Sequence, residues 1–227
     1  MRLLLIGPPG CGKGTQAAHI AQHYGVEHIS SGDLLRRHVS ERTSIGRTVE
    51  QCINRGDLVS DGIVMDILRR PVEAASRRGG FILDGFPRTV EQAEAAYDVA
   101  RTFDASVRIA LHLQVPREEL IRRLLERGRR TGRADDTAEV VSHRLQVFDA
   151  STMPLLDYYA RRETLVRIDG NGPVDEVTRS VITQLDRVRR RLGLRVTAVP
   201  APRQSAATSV RHTEERLGGR PGGSLPR

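Results

Sequence analysis

Gly7-Pro8-Pro9-Gly10-Cys11-Gly12-Lys13-Gly14-Thr15 is the stretch whose reading decides the fold. It lies between a short apolar run, residues 2–6, expected as a strand, and residues 15–24, where the apolar spacing predicts a helix. Gly-x4-Gly-Lys in that setting is a phosphate cradle. Glycines let the backbone turn its N–H groups onto phosphate oxygens, and the helix N-terminus adds partial positive charge at the same point. Lys13 adds a full charge there. It is the only lysine among 36 basic residues, the rest being arginine, as expected where a compact point charge is needed and a guanidinium fork would not fit.

Outward from the cradle, strand and helix signals alternate. Residues 26–29, 81–83, 107–113 and 165–168 read as further strands, and 31–37, 46–55, 89–100, 116–127 and 173–192 as helices, with Gly56 a stop. Residues 60–78 are helical in character, with Pro71 expected to kink or split them, and 137–162 read as a long helix interruptible at Pro154. Residues 128–136, polar and glycine-bearing, read as a mobile loop. Strands separated by helices imply an α/β fold with a parallel sheet covered on both faces. Residues 193–227, rich in Pro, Gly, Ser, Ala and Arg without apolar period, read as a disordered tail.

Composition narrows the function classes. No run approaches the roughly 18 apolar residues of a membrane span, and the N-terminus is too short for a secretory apolar region, so a cytoplasmic location is expected. Half of the formal net charge of +8 lies in residues 193–227, which hold six Arg and two Glu. With 4% aromatics and no Trp, the body lacks the stacking surface of a single-strand nucleic-acid binder. Cys11 and Cys52 make no disulfide framework.

Phe81-Ile82-Leu83-Asp84 is an apolar strand ending in a carboxylate. Beside a phosphate cradle, Asp84 offers magnesium an oxygen, directly or through water. Thr15 follows Gly14 where the strict cradle pattern has Ser or Thr directly after the lysine, so it is assigned to phosphate rather than metal. Four arginines, Arg123, Arg127, Arg133 and Arg144, fall in and after RRLLERGRRTGRADD. Taken alone they read as a solvated basic face, yet guanidinium forks also suit the spread charge of a transferring phosphoryl group.

The order GxPGxGKGT resembles the cradle of nucleoside monophosphate kinases. Asp84-Gly85-Phe86-Pro87-Arg88-Thr89 with Gln92 resembles the signature of adenylate kinases. Ser30-Ser31-Gly32-Asp33-Leu34-Leu35-Arg36 and Gly56-Asp57-Leu58-Val59 resemble that family's AMP-side segments, and Arg133-x10-Arg144 its lid pair. The resemblance spans residues 1–192 and implies a three-layer P-loop NTPase fold around a central five-stranded parallel sheet. It implies an AMP-binding helical insertion at about 30–59 and a short lid at about 126–136.

It further implies Mg-dependent phosphoryl transfer between ATP and AMP, with ATP, AMP and ADP as partners and a monomeric enzyme. On that likeness Gly10, Cys11, Gly12, Lys13, Gly14, Thr15, Arg127 and Gly172 hold ATP. Arg36 and Arg88 grip the AMP phosphate, while Ser31, Asp57, Leu58, Val59, Gly85, Phe86, Pro87 and Gln92 surround its base. Lys13, Arg88, Arg123, Arg133 and Arg144 carry catalysis, and Asp84 serves magnesium. Five residues between Arg127 and Arg133 are too few for an extended lid, and no lid cysteines are present, so no structural zinc is expected. The nearest alternative is a UMP/CMP kinase, whose relatives place Ala at Ser31 and Asn at Thr89. The other is a non-catalytic nucleotide-binding module with a basic interaction tail.

Overall fold

A computed structural model describes residues 1–162 and 164–193; the expectation for the tail therefore falls outside the described residues, apart from Gly193. The chain runs β1 (Arg2–Ile6), α1 (Lys13–Tyr24), β2 (Glu27–Ser30), α2 (Ser31–Ser40), α3 (Ser44–Arg55), α4 (Asp61–Arg77), β3 (Phe81–Asp84), α5 (Val90–Arg101) and β4 (Ile109–Gln114). It continues with α6 (Arg117–Thr131), a short turn at Ala134–Asp136, α7 (Ala138–Val147), a wide turn at Phe148–Thr152, α8 (Pro154–Arg161), β5 (Leu165–Asp169) and α9 (Val174–Arg191).

All five strands are parallel, in the order β2-β3-β1-β4-β5. Side chains alternate across the sheet and bury two separate cores, as a doubly covered parallel sheet requires. Leu4, Ile6, Leu83 and Ala110 face α2 to α5 and α8. Leu3, Leu5, Ile82 and Leu111 face α1, α6, α7 and α9. Register then sets the site. Leu5 and Ser30 both lie opposite Asp84, so the phosphate cradle leaving β1, the acidic end of β3 and the start of α2 meet at the carboxyl edge, where open α/β sheets bind ligands.

Three expectations need correction. Pro71 does not split α4, which runs unbroken from Asp61 to Arg77 because its buried stripe of Val64, Leu68 and Ala75 continues on both sides of the proline. Residues 128–136 are not a loop throughout. α6 extends to Thr131, whose hydroxyl donates to the Arg127 carbonyl at 2.8 Å one turn back. Gly132, in the left-handed region at φ 66°, ends it. The helix expected across 137–162 breaks earlier than Pro154, at Phe148–Thr152, where the Met153 N–H donates to the Phe148 carbonyl at 3.0 Å and winds one residue too many into the turn. Pro154 then opens α8 at the position where its missing N–H costs nothing.

Leu111 is fully buried on β4. Leu111→Ala should lower unfolding free energy by about 3 kcal/mol, read as a shifted urea midpoint with unchanged slope; a loss under about 1 kcal/mol would contradict this packing.

Candidate active site

The cradle between β1 and α1 is shaped by two left-handed glycines, Gly10 at φ 87° and Gly12 at φ 92°. A Cβ on Gly10 would lie 2.9 Å from Leu124 Cγ on α6, whereas one on Gly12 would meet nothing within 4 Å. Gly10 thus seats the loop against α6, while Gly12 leaves its face open for a ligand. Lys13 bends back over the loop, donating to the carbonyls of Gly7 at 2.7 Å and Pro8 at 2.9 Å. Burial pushes the Cys11 thiol above its ordinary value, with the nearby Lys13 charge pulling the other way.

The cradle opens into a cavity of about 820 Å³ lined by Gly7–Gln16, by Asp84 to Arg88 in part, and by α6, α7 and the Gly170–Val174 turn. A side cavity of about 60 Å³ continues it among Ser31, Val59, Phe86 and Gln92. Every site residue named from the sequence lines one or both: the cradle, Asp84, Gly172, Arg36, Arg88 and the lid arginines in the first, and Ser31, Asp57, Val59, Phe86 and Gln92 in the second. Arg130, which has no assignment from the sequence, also lines the large cavity, as do Arg122 and Glu119.

Local structure positions these groups. Ser30 caps α2, its hydroxyl accepting from the Asp33 N–H at 3.2 Å, and this helix carries Arg36, which pairs with Asp33 at 2.6 Å. Gly85 sits at φ 83°, where a Cβ would come within 2.6 Å of Ser31 Oγ. Here β3 must pass close to α2, and only glycine fits. Arg88 folds back to donate from Nε to the Gly85 carbonyl at 2.8 Å and meets no carboxylate in a salt bridge among the described residues. Burial, with Arg144 and Arg36 nearby, pushes its pKa below the ordinary guanidinium value, against the opposing pull of Asp84. Burial and the charges of Arg36 and Arg127 do the same to Arg133. Cations held together this way without enough counter-charge form an anion site.

The lid is fixed by two residues that the sequence reading passed over. Asp136 is 4% exposed and Asp135 is 7% exposed. Arg127 grips Asp136 through both ends of its fork at 2.6 and 2.7 Å, and Arg144 reaches Asp136 at 2.8 Å and the Asp135 carboxylate at 2.9 Å. The visible signal was the pair Asp135-Asp136, separated from Arg133 by Ala134 alone, which matched no motif. Arg123 pairs with Glu119 at 2.7 Å and points at the Gly170 carbonyl at 3.3 Å. The two arginines Arg122 and Arg123 hold the Glu119 carboxyl down to about 2. Across the cavity, Asp57 bonds His143 of α7 at 2.7 Å, and Gly56 packs where a Cβ would lie 2.5 Å from Arg144 Cγ.

Asp84 is one of the carboxylates that line the cavity, with Asp33, Glu119 and Glu126. It stands beside the cradle, 3.8 Å from His28 Nε2, and one protein carboxylate is what a magnesium ion carried on polyphosphate takes. Among the described residues no group of three or more His, Cys, Asp or Glu could hold a metal without a ligand's help, and no helix is long and apolar enough to cross a membrane.

Burial alone would raise the Asp136 carboxyl, but Arg127 and then Arg144 hold it below the usual carboxylate range. Its stabilising contribution is therefore complete above the ordinary pKa near 4 and fades as pH falls through the lower folded-state value. Asp136→Asn should cost about 3 kcal/mol at neutral pH. The gap between variant and parent should stay constant above about pH 5 and narrow in acid, read by denaturation at several pH values. A gap that widened in acid would contradict this pairing.

Comparison with known proteins agrees with the geometry. The family model described as adenylate kinase matches residues 5–164. An adenylate kinase of Kocuria rhizophila is 40% identical over 186 residues, covering 82% of this chain and 99% of that protein. One from Thermobifida fusca is 42% identical over 185 residues, covering 82% and 98%, and one from Synechococcus sp. (strain WH7803) is 44% identical over 177 residues, covering 78% and 94%. Matched by that family model over residues 5–164 and by these relatives over nearly all of their own length, the chain belongs to the adenylate kinase family.

Proposed function

We propose that this chain catalyses reversible, Mg-dependent transfer of the terminal phosphoryl group of ATP to AMP, giving two ADP. One observation carries the reading. Lys13, Arg36, Arg88, Arg133 and Arg144 converge on one cavity. Phosphoryl transfer asks for little else: two phosphates brought in line, and charge spread over equatorial oxygens met by fixed cations.

In this reading the cradle N–H groups and Lys13 hold the ATP phosphates, Lys13 exchanging its loop carbonyls for phosphate oxygens. Gly172 borders the ATP base. Arg36 and Arg88 clamp the AMP phosphate, and the base enters the side cavity beside Ser31, Val59 and Gln92. Arg133 and Arg144, held over the cavity by the Asp135–Asp136 anchor, face the transferring group with Arg123. Asp84 supports magnesium through water, and the ion supplies charge neutralisation on the phosphates when bound. Residues 30–59 act as the acceptor-side insertion and 126–136 as a short lid. In this reading the enzyme is a monomer, and a cytoplasmic location fits its substrates.

Purified full-length chain given ATP, Mg2+ and each of AMP, GMP, UMP and CMP should form diphosphate efficiently with AMP only. Arg88→Ala should lower kcat/KM for AMP by about 100-fold or more, the scale of removing one charge-stabilising donor. Preferred turnover of UMP or CMP would overturn the acceptor, and no turnover at all would leave a binding module.

A further inference from the structure

Gln92 lies in the first turn of α5 and is 3% exposed in the wall of the side cavity. Both ends of its amide are already engaged. Its Oε1 accepts from the Arg88 backbone N–H at 2.7 Å, and its Nε2 donates to Asp61 Oδ1 at 2.6 Å, a contact spanning 31 positions to the first residue of α4. These partners dictate which amide atom is which. A backbone N–H can only donate and an ionised carboxylate can only accept, so the reversed amide would set donor against donor at Arg88 and acceptor against acceptor at Asp61.

An amide has two N–H donors and two acceptor lone pairs. With one of each spent, Gln92 keeps one N–H and one lone pair, in a fixed left-to-right order. Adenine presents an amino donor at C6 beside an acceptor at N1. Guanine presents the reverse, an acceptor O6 beside an N1–H donor. A free glutamine could serve either by turning its amide over; this one is held.

We propose that Asp61 is a specificity-determining residue of the acceptor site. It touches no substrate and acts as a positioning residue, fixing the Gln92 amide so that the pocket accepts the donor–acceptor order of adenine and rejects that of guanine. The inference rests on the reading above that the side cavity takes the acceptor base. Cytosine shares the adenine order at its amino group and N3, so the device separates adenine from guanine while leaving cytosine to be rejected by size.

The test is the ratio of kcat/KM for AMP to that for GMP in Asp61→Ala, Asp61→Asn and Gln92→Ala, with the AMP-to-CMP ratio alongside. Because each ratio is taken on one protein preparation, loss of folded material cancels. Asp61→Ala should lower the AMP-to-GMP ratio about tenfold, the scale of one hydrogen bond to a charged group. Asp61→Asn, whose side-chain carbonyl can still accept from Nε2, should lower it less. The AMP-to-CMP ratio should hardly move in either. Equal losses for AMP and GMP in Asp61→Ala would mean that Asp61 only supports the start of α4, and would overturn the proposal. If Gln92→Ala shifts the AMP-to-GMP ratio while Asp61→Ala does not, the proposal fails but the base-side reading of the cavity stands. If Gln92→Ala leaves the ratio unchanged, both fall.

Discussion

Like charges crowded at one cavity are the constraint around which this protein is built. Arg36, Arg88, Arg133 and Arg144 stand close enough that burial and mutual repulsion shift three of them below their ordinary values. That repulsion must be met by something, and the fold meets it locally. Lys13 is turned onto loop carbonyls, Arg88 onto the Gly85 carbonyl, Arg36 onto Asp33, and Arg127 and Arg144 onto Asp135 and Asp136. Lys13 and Arg88 rest on neutral carbonyls, which a phosphate can displace at little cost, whereas the buried carboxylates beneath the lid are anchors. Lys13 and Arg88 are thus readily turned toward a ligand, whereas Arg144 meets the cavity from a fixed seat.

The parallel sheet makes this arrangement possible. Because Leu5, Asp84 and Ser30 lie in one register across β1, β3 and β2, three segments remote in sequence deliver the cradle, the acidic strand end and the acceptor-side helix to a single edge. The close approach of Gly85 to Ser31 and of Gly56 to Arg144 then brings the two sides of the cavity within reach of one phosphoryl group. Neither approach tolerates a side chain, so the glycines set a distance, much as the strands set an order.

Much of this was legible beforehand. The order of strands and helices, the parallel sheet and the belonging of the chain to its family follow from the cradle, the strand ending in Asp84 and the run from Asp84 to Arg88, because those motifs are local and their chemistry allows few substitutes. What stayed hidden was tertiary. Pro71 is a breaker by its own covalent geometry, yet the apolar stripe on both sides of it keeps α4 whole. Polar residues 128–131 look like loop, yet they close the last turn of α6 ahead of Gly132. Asp135 and Asp136 are ordinary acidic residues in the chain and become buried anchors only when α6 and α7 are brought side by side. Arg130 and Asp61 were passed over for the same reason: nothing local in the sequence says which cavity, or which amide, they will face.

The choice of guanidinium over other cations at the cavity has one more consequence. A guanidinium in a protein does not lose its proton, so the grip of Arg36, Arg88, Arg133 and Arg144 on an anion is the same in weak acid as in weak base. A phosphomonoester, by contrast, gains its second negative charge only above a pKa of about 6. Below neutrality, then, the ionisation of the nucleotide and not that of the arginines governs how firmly the two meet, and the cell's own proton concentration acts on the substrate rather than on the protein.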